Sequence, residues 1–284
     1  MNRTRYAVGV GLRRGRTEFV NSLRSPQDQG FYLFMATGIL VYLWLNRSTE
    51  VQGTDLLLPT FALPSILGGV IAFGIVVGPA YSLAMEREDG TLLRMLAVPR
   101  GMVSYVAGQV AYHSLSALPS LLTILVPAAL LLDDVMPSQA SGWLTIVWVL
   151  LLGTLATLPI GIVVGSLVPN VQKVSTWGML PILGLAAISG IFFPIHQLWG
   201  WLQGVAQVFP MYWLGLGMRS AFLPDSAAAT EIGGSWRTGQ TVAVLVVWAV
   251  AGTLVAPVVL RRMAQRQSGA AVATAREAAA QWVR

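Results

Sequence analysis

Six apolar runs cross this chain, at residues 30–45, 56–83, 106–132, 143–168, 174–193 and 240–260, and none of them holds an aspartate, a glutamate or a lysine. A helix needs about 20 mostly apolar residues to cross a bilayer. Inside lipid every backbone N–H and C=O must find its partner within the protein, which leaves helices or closed barrels. Continuous apolar runs of this length favour helices, so the expected fold class is all-α integral membrane with six transmembrane helices. Hydrophobic residues make up 55% of the 284 and charged residues only 11%. A soluble domain carries about a quarter charged residues, so lipid is the expected solvent. The first run is short and the second long; Pro59 and Pro64 are expected to kink or delay the start of the second.

The basic residues orient the bundle. With the N-terminus inside, fifteen of the 18 Lys and Arg residues fall on cytoplasmic segments, and only Arg47, Arg219 and Arg237 fall outside. The positive-inside rule therefore places both termini in the cytoplasm. The first apolar run starts behind six arginines, too late and too polar for a cleaved signal peptide, so the N-terminus is read as mature protein.

Residues 194–223 are apolar, yet Pro210 and its flanking glycines divide them into pieces too short to span. A crossing here would also put the arginine-rich tail outside. A pair of short helices dipping into the outer leaflet is expected, with Trp199, Trp201, Phe209, Tyr212 and Trp213 forming an interfacial belt. Residues 1–29 read as an amphipathic helix on the inner surface. Val8, Leu12, Phe19 and Leu23 share one arc of it, and Arg13, Arg14 and Arg24 lie off that arc; an ordinary basic anchor is the alternative. Residues 30–260 form the membrane domain and 261–284 a cytoplasmic tail. The string Gly-Ile-Val-Val-Gly at 74–78 and again at 161–165 gives two small-xxx-small pairs suited to close helix approach. Their repetition is read as chance.

Catalytic chemistry finds little support. The chain has no Cys, which excludes disulfides, thiol catalysis and thiolate metal sites. Its single lysine, Lys173, follows Val-Pro-Asn-Val-Gln and not a phosphate-cradling Gly-rich loop. His113 and His196 are far apart, expected at opposite membrane ends, and make no zinc pair. His113 reads as a packing residue. No carboxylate lies within a run to relay protons or sodium, and Asp55, Asp133 and Asp134 fall at outer ends. Power is therefore expected from outside the chain.

The cytoplasmic segment after the second run has a different character. Glu86, Arg87, Glu88 and Asp89 are followed by Gly90, by an amphipathic turn with Leu92, Met95 and Leu96 on one face and Arg94 away from it, and by Pro99. This suits docking to a soluble partner; a solvated loop is the alternative. The string Glu86-Arg87-Glu88-Asp89-Gly90-Thr91-Leu92 with Leu96 and Pro99 resembles the signature loop of the ABC type-2 transporter permeases. Ser189-Gly190-Ile191-Phe192-Phe193-Pro194, with Trp201-Leu202, Phe209-Pro210, Tyr212 and Arg219, resembles that family's segment between the fifth and sixth spans. Gly108-Gln109 stands where members often have Gly-Lys, and Met211 where another small or apolar residue is common.

The resemblance implies the membrane subunit of an ABC exporter, not itself an enzyme, closest to the daunorubicin-resistance-like drug permeases. It implies two copies of a separate ATPase that binds ATP and Mg, and a second permease subunit, identical or related. It places the chain in the bacterial plasma (inner) membrane. Loop 84–105 becomes the coupling element, in which Glu86, Arg87, Glu88 and Thr91 meet the ATPase, Gly90 permits close approach, Leu92 and Leu96 fill its groove, and Pro99 ends the helix. Segment 194–223 becomes outer re-entrant helices. Phe192, Phe193, Pro194 and Tyr212 are candidates for an outer gate, with interfacial anchoring the other reading of the phenylalanines. The apolar spans fit a lipophilic or amphiphilic cargo. A secondary transporter and a non-transporting scaffold are the competing functions.

Overall fold

The computed structural model describes residues 3–51, 56–191 and 195–265, and every regular element among them is helical. The order is α1 (Arg3–Arg24), α2 (Pro26–Leu45), α3 (Leu58–Glu88), α4 (Thr91–Ala97), α5 (Gly101–Leu131), α6 (Ala140–Leu167), α7 (Val171–Lys173), a π turn (Val174–Gly178), α8 (Met179–Ile188), α9 (Gly200–Val208), α10 (Pro210–Phe222) and α11 (Thr238–Gln265). Five helical rods are long and apolar enough to cross a membrane: Leu58–Glu88, Gly101–Leu131, Ala140–Leu167, Val171–Ile188 and Thr238–Met263. The run expected first, within α2, is not among these five. That helix begins on Ser25, whose side chain accepts from the Asp28 amide at 3.3 Å, and Gln27, Asp28 and Gln29 occupy its first turn. Pro59 sits in the first turn of α3, where its missing N–H costs nothing. Pro64 and Pro79 are accommodated inside the helix.

Close packing rests on small residues, because lipid offers no hydrophobic drive between helices. A Cβ on Gly161 would overlap the Val76 carbonyl oxygen, and one on Gly165 would lie 2.8 Å from the Ala80 Cα. These two glycines of α6 therefore seat α3. The matching pair in α3 does not act alike: Gly74 faces open space and Gly78 makes room for the His113 ring. His113 is buried well inside α5, with Nε2 3.1 Å from Gln109 Oε1. It is a packing residue, as expected, and it lies within α5 and not at the end of that helix.

The N-terminal helix packs on the bundle by a face that the apolar arc does not include. Its buried residues are Ala7, Gly11, Gly15 and Ser22, a stripe of small side chains that lets α1 touch α5. A Cβ on Gly11 would strike the Ser104 carbonyl oxygen, and one on Gly15 that of Gly108. The apolar arc turns away from the bundle, with Leu12 and Leu23 exposed.

Segment 194–223 does hold two short helices, with Phe209 as the joint between α9 and α10. The α10 helix is buried almost throughout and runs antiparallel to α6. A Cβ on Gly153 would meet the Leu214 side chain at 2.6 Å, one on Gly217 the Val149 side chain at 2.7 Å, and one on Gly142 the Ala221 carbonyl. Trp199 and Trp201 are exposed as a belt requires, whereas Tyr212 and Trp213 are buried with Ala156, Ala206, Leu216 and Leu245. The belt reading therefore fails for those two.

Candidate functional site at the elbow between α3 and α4

The chain turns sharply where α3 ends. Gly90 has φ of 77°, in the left-handed region that favours glycine. Its role is this reversal of direction. The Thr91 amide then donates to Asp89 Oδ1 at 2.8 Å and starts α4. Val98 and the exposed Pro99 end α4, and Arg100, at φ of 59°, bends the chain into α5.

The three charged residues before the turn each hold a different helix. Glu86 Oε1 accepts from Arg14 Nη2 of α1 at 2.5 Å, and Arg14 Nε also donates to Glu18 at 2.7 Å. Burial works against the Arg14 charge, but the Glu86 and Glu18 carboxylates outweigh it and raise its pKa. The Arg14 guanidinium also lies 5.6 Å from the Tyr105 ring centre, in cation–π range. Arg87 Nη2 donates to the Gly165 carbonyl at 2.7 Å and to that of Val168. Those are orphan carbonyls at the C-terminal end of α6, where a cation is favoured. Glu88 Oε1 accepts from the Val171 amide at 2.9 Å, at the start of α7, where an anion is favoured. Asn170 completes that cap, its Oδ1 accepting from the Lys173 amide at 2.9 Å.

This placement revises the expected division of labour. Glu86, Arg87 and Glu88 are partnered within the chain, so they are internal ties. Leu92 is fully buried in the main core and does not project toward a partner's groove. Leu96 lies on α4, with its side chain outside those described. The free surface of α4 is Arg94 and Ala97, continued by Val98, all exposed. Sequence reasoning passed over Arg14 as an off-arc charge; its spacing of four from Glu18 was the available signal.

The proposed gate is less accessible to test. Phe192, Phe193 and Pro194 lie outside the described residues. Tyr212 is fully buried, its hydroxyl accepting from Arg237 Nη2. Arg237 also lies 4.8 Å from the Trp213 ring centre and donates to Gln207 Oε1 at 2.7 Å. Trp248 Nε1 donates to the Val208 carbonyl at 2.8 Å. Tyr212 is thus part of a staple that pins the joint of α9 and α10 to α11. Arg219, in turn, forms a buried ion pair missed in the sequence. Its Nε donates to Glu231 Oε1 at 2.5 Å and its Nη2 to Oε2 at 3.3 Å. Its Nη1 reaches the Gly190 carbonyl at 3.2 Å and Ser65 Oγ at 3.4 Å. The spans lack acids, yet a buried glutamate sits beside them.

The arrangement is one of joints and ties. Among the described residues no group of three His, Asp or Glu side chains is placed to hold a metal ion. No curated protein matches the chain. The family model described as ABC-2 type transporter matches residues 16–223, a stretch that begins within α1, just after Arg14, and takes in the elbow and both short helices. That family is a membrane transport component that works with an ABC ATPase, which accords with five apolar rods. This chain, a multi-pass membrane protein, belongs to the ABC-2 type transporter family.

Proposed function

We propose that the chain is the permease subunit of an ATP-driven ABC exporter that moves a lipophilic or amphiphilic solute outward. In this reading α2 is the first of six spans and α1 lies on the inner surface. The α9–α10 pair enters and leaves the outer leaflet, and both termini are cytoplasmic. The antiparallel register of α10 against α6 supports the re-entrant path, since its first residues lie deepest along α6. Residues 30–260 are the membrane domain and 261–284 a tail. Two ATPase subunits bind ATP and Mg, and a second permease subunit, identical or related, completes a complex in a bacterial inner membrane. A drug-export role of the daunorubicin-resistance kind is the closest subfamily reading.

One observation carries the coupling mechanism. The α4 helix buries Leu92 in the core of the bundle while leaving Arg94, Ala97 and Val98 bare. It packs on α3, α5 and α11. A partner that moves α4 therefore moves the core, and through Glu86, Arg87 and Glu88 it also moves α1 and the facing ends of α6 and α7. The transmitted energy can be no larger than the partner's differential affinity for the two states.

Liposomes reconstituted with the chain and its ATPase, with and without ATP, test the reading. Transport should require both ATPase and nucleotide. Glu86→Ala should lower ATP-dependent transport by about fivefold or more while the complex still assembles. Intact efflux in that variant would remove Glu86 from the coupling path. Solute movement by the chain alone along a proton gradient would make it a secondary transporter. No movement under any condition, with the complex assembled, would favour a scaffold.

A further inference from the structure

We infer that the pocket between the α4–α5 elbow and the last turns of α11 binds an anionic phospholipid from the leaflet on the α4 side of the bundle. The cavity measures about 800 Å³. Met95, Val98, Pro257 and Val258 supply apolar wall, and Arg100, Arg261 and Arg262 supply the charge. No acidic side chain lines it. All three arginines are exposed, and no ion pair ties any of them to a described residue. Arg100 is held in left-handed backbone at φ of 59°, which fixes the base of its side chain at a conformation a non-glycine residue rarely takes.

The neighbouring surface identifies the occupant. Val247, Val250, Leu254 and Val258 are all more than half exposed on α11. Their spacing of three, four and four puts them on one face. The same spacing continues to Arg261 and Arg262. An apolar stripe thus runs along the helix and ends at a basic pocket. A molecule with alkyl chains and a phosphate head satisfies both parts at once. A soluble phosphate would use only the arginines. Guanidinium groups bind phosphate through paired hydrogen bonds, and basic pockets between membrane helices are suited to anionic headgroups.

The test is native mass spectrometry of the full chain in neutral detergent, titrated with phosphatidylglycerol, phosphatidylcholine or soluble glycerol phosphate. Phosphatidylglycerol should bind at least about tenfold more tightly than phosphatidylcholine, and glycerol phosphate should compete poorly. The combined R100Q, R261Q and R262Q variant should lose on the order of 100-fold in affinity, roughly fivefold for each arginine. The matching triple lysine variant, which keeps the charge and loses the paired hydrogen bonds, should bind with an affinity between those of the wild type and the glutamine variant. If the glutamine variant fails to fold, Val258→Trp, which fills the cavity and leaves the charges, should weaken phosphatidylglycerol binding instead. Equal binding of the two lipids would reduce the arginines to topology signals and overturn the inference. So would unchanged binding in the glutamine variant or in Val258→Trp, full competition by glycerol phosphate, or loss of the lipid when the ATPase subunit is added.

Discussion

The two ends of the bundle both use charge to hold helices, and they do so differently. Around Arg219 the ion pair is sealed: Arg219 and Glu231 are both nearly inaccessible, and the guanidinium also reaches Ser65 of α3 and the turn after α8. Around Glu86 the ties are only partly buried, with side-chain exposures of 25% for Arg14 and 14% for Glu86. Buried nitrogens of Arg14 and Arg87 are left without a protein partner there. A sealed pair is costly to break by removing one partner, whereas a partly exposed one leaves its charges access to solvent when the tie is lost. On the proposed coupling role, the second end is the one a partner ATPase would rearrange and the first the one that stays.

The largest expected effect tests the sealed end. Arg219→Ala should destabilise the chain by about 3–5 kcal/mol, because Glu231 is left charged and buried. The measurement is the thermal unfolding midpoint in detergent. Arg219→Met combined with Glu231→Leu should recover most of that loss, and a double variant as unstable as the single one would break the contrast. A smaller effect is expected at the elbow. Arg87→Ala removes two bonds to the end of α6 and should cost about 1.5–3 kcal/mol, the range for a hydrogen bond made by a charged group. A loss as large as that of Arg219→Ala would show that this end is sealed too. The smallest change is Glu88→Ala, about 1 kcal/mol for a lost helix-start acceptor. Amide exchange at Val171, at the start of α7, should then rise while α6 is unaffected.

The long rods were legible because each is a local property: an apolar run long enough to need lipid. Gly90 and Pro99 were equally legible as the ends of a short helix, since backbone conformation announces itself in those residue types. Pairings between distant segments were not. Nothing near Glu231 in Glu-Ile-Gly-Gly-Ser-Trp distinguishes it from a solvated loop acid, and its burial follows only from Arg219 lying twelve positions earlier on α10. The same limit explains Glu86 and Glu88, whose partners Arg14 and Val171 lie 72 and 83 positions away. The packing face of α1 is a different case. Large apolar residues drew attention to one arc, while Ala7, Gly11 and Gly15, at intervals of four, marked the side that touches another helix.

The π turn at Val174–Gly178 has its own consequence for sequence length. One extra residue in a helical turn rotates everything downstream by about 100°. That offset sets which side chains of α8 face outward, among them Leu180 and Leu183. Removing one residue between 174 and 178 would restore an ordinary helix and swing Ile182 and Ala186, now buried, away from their neighbours. Insertions or deletions tolerated in the loops should be rejected at these five positions.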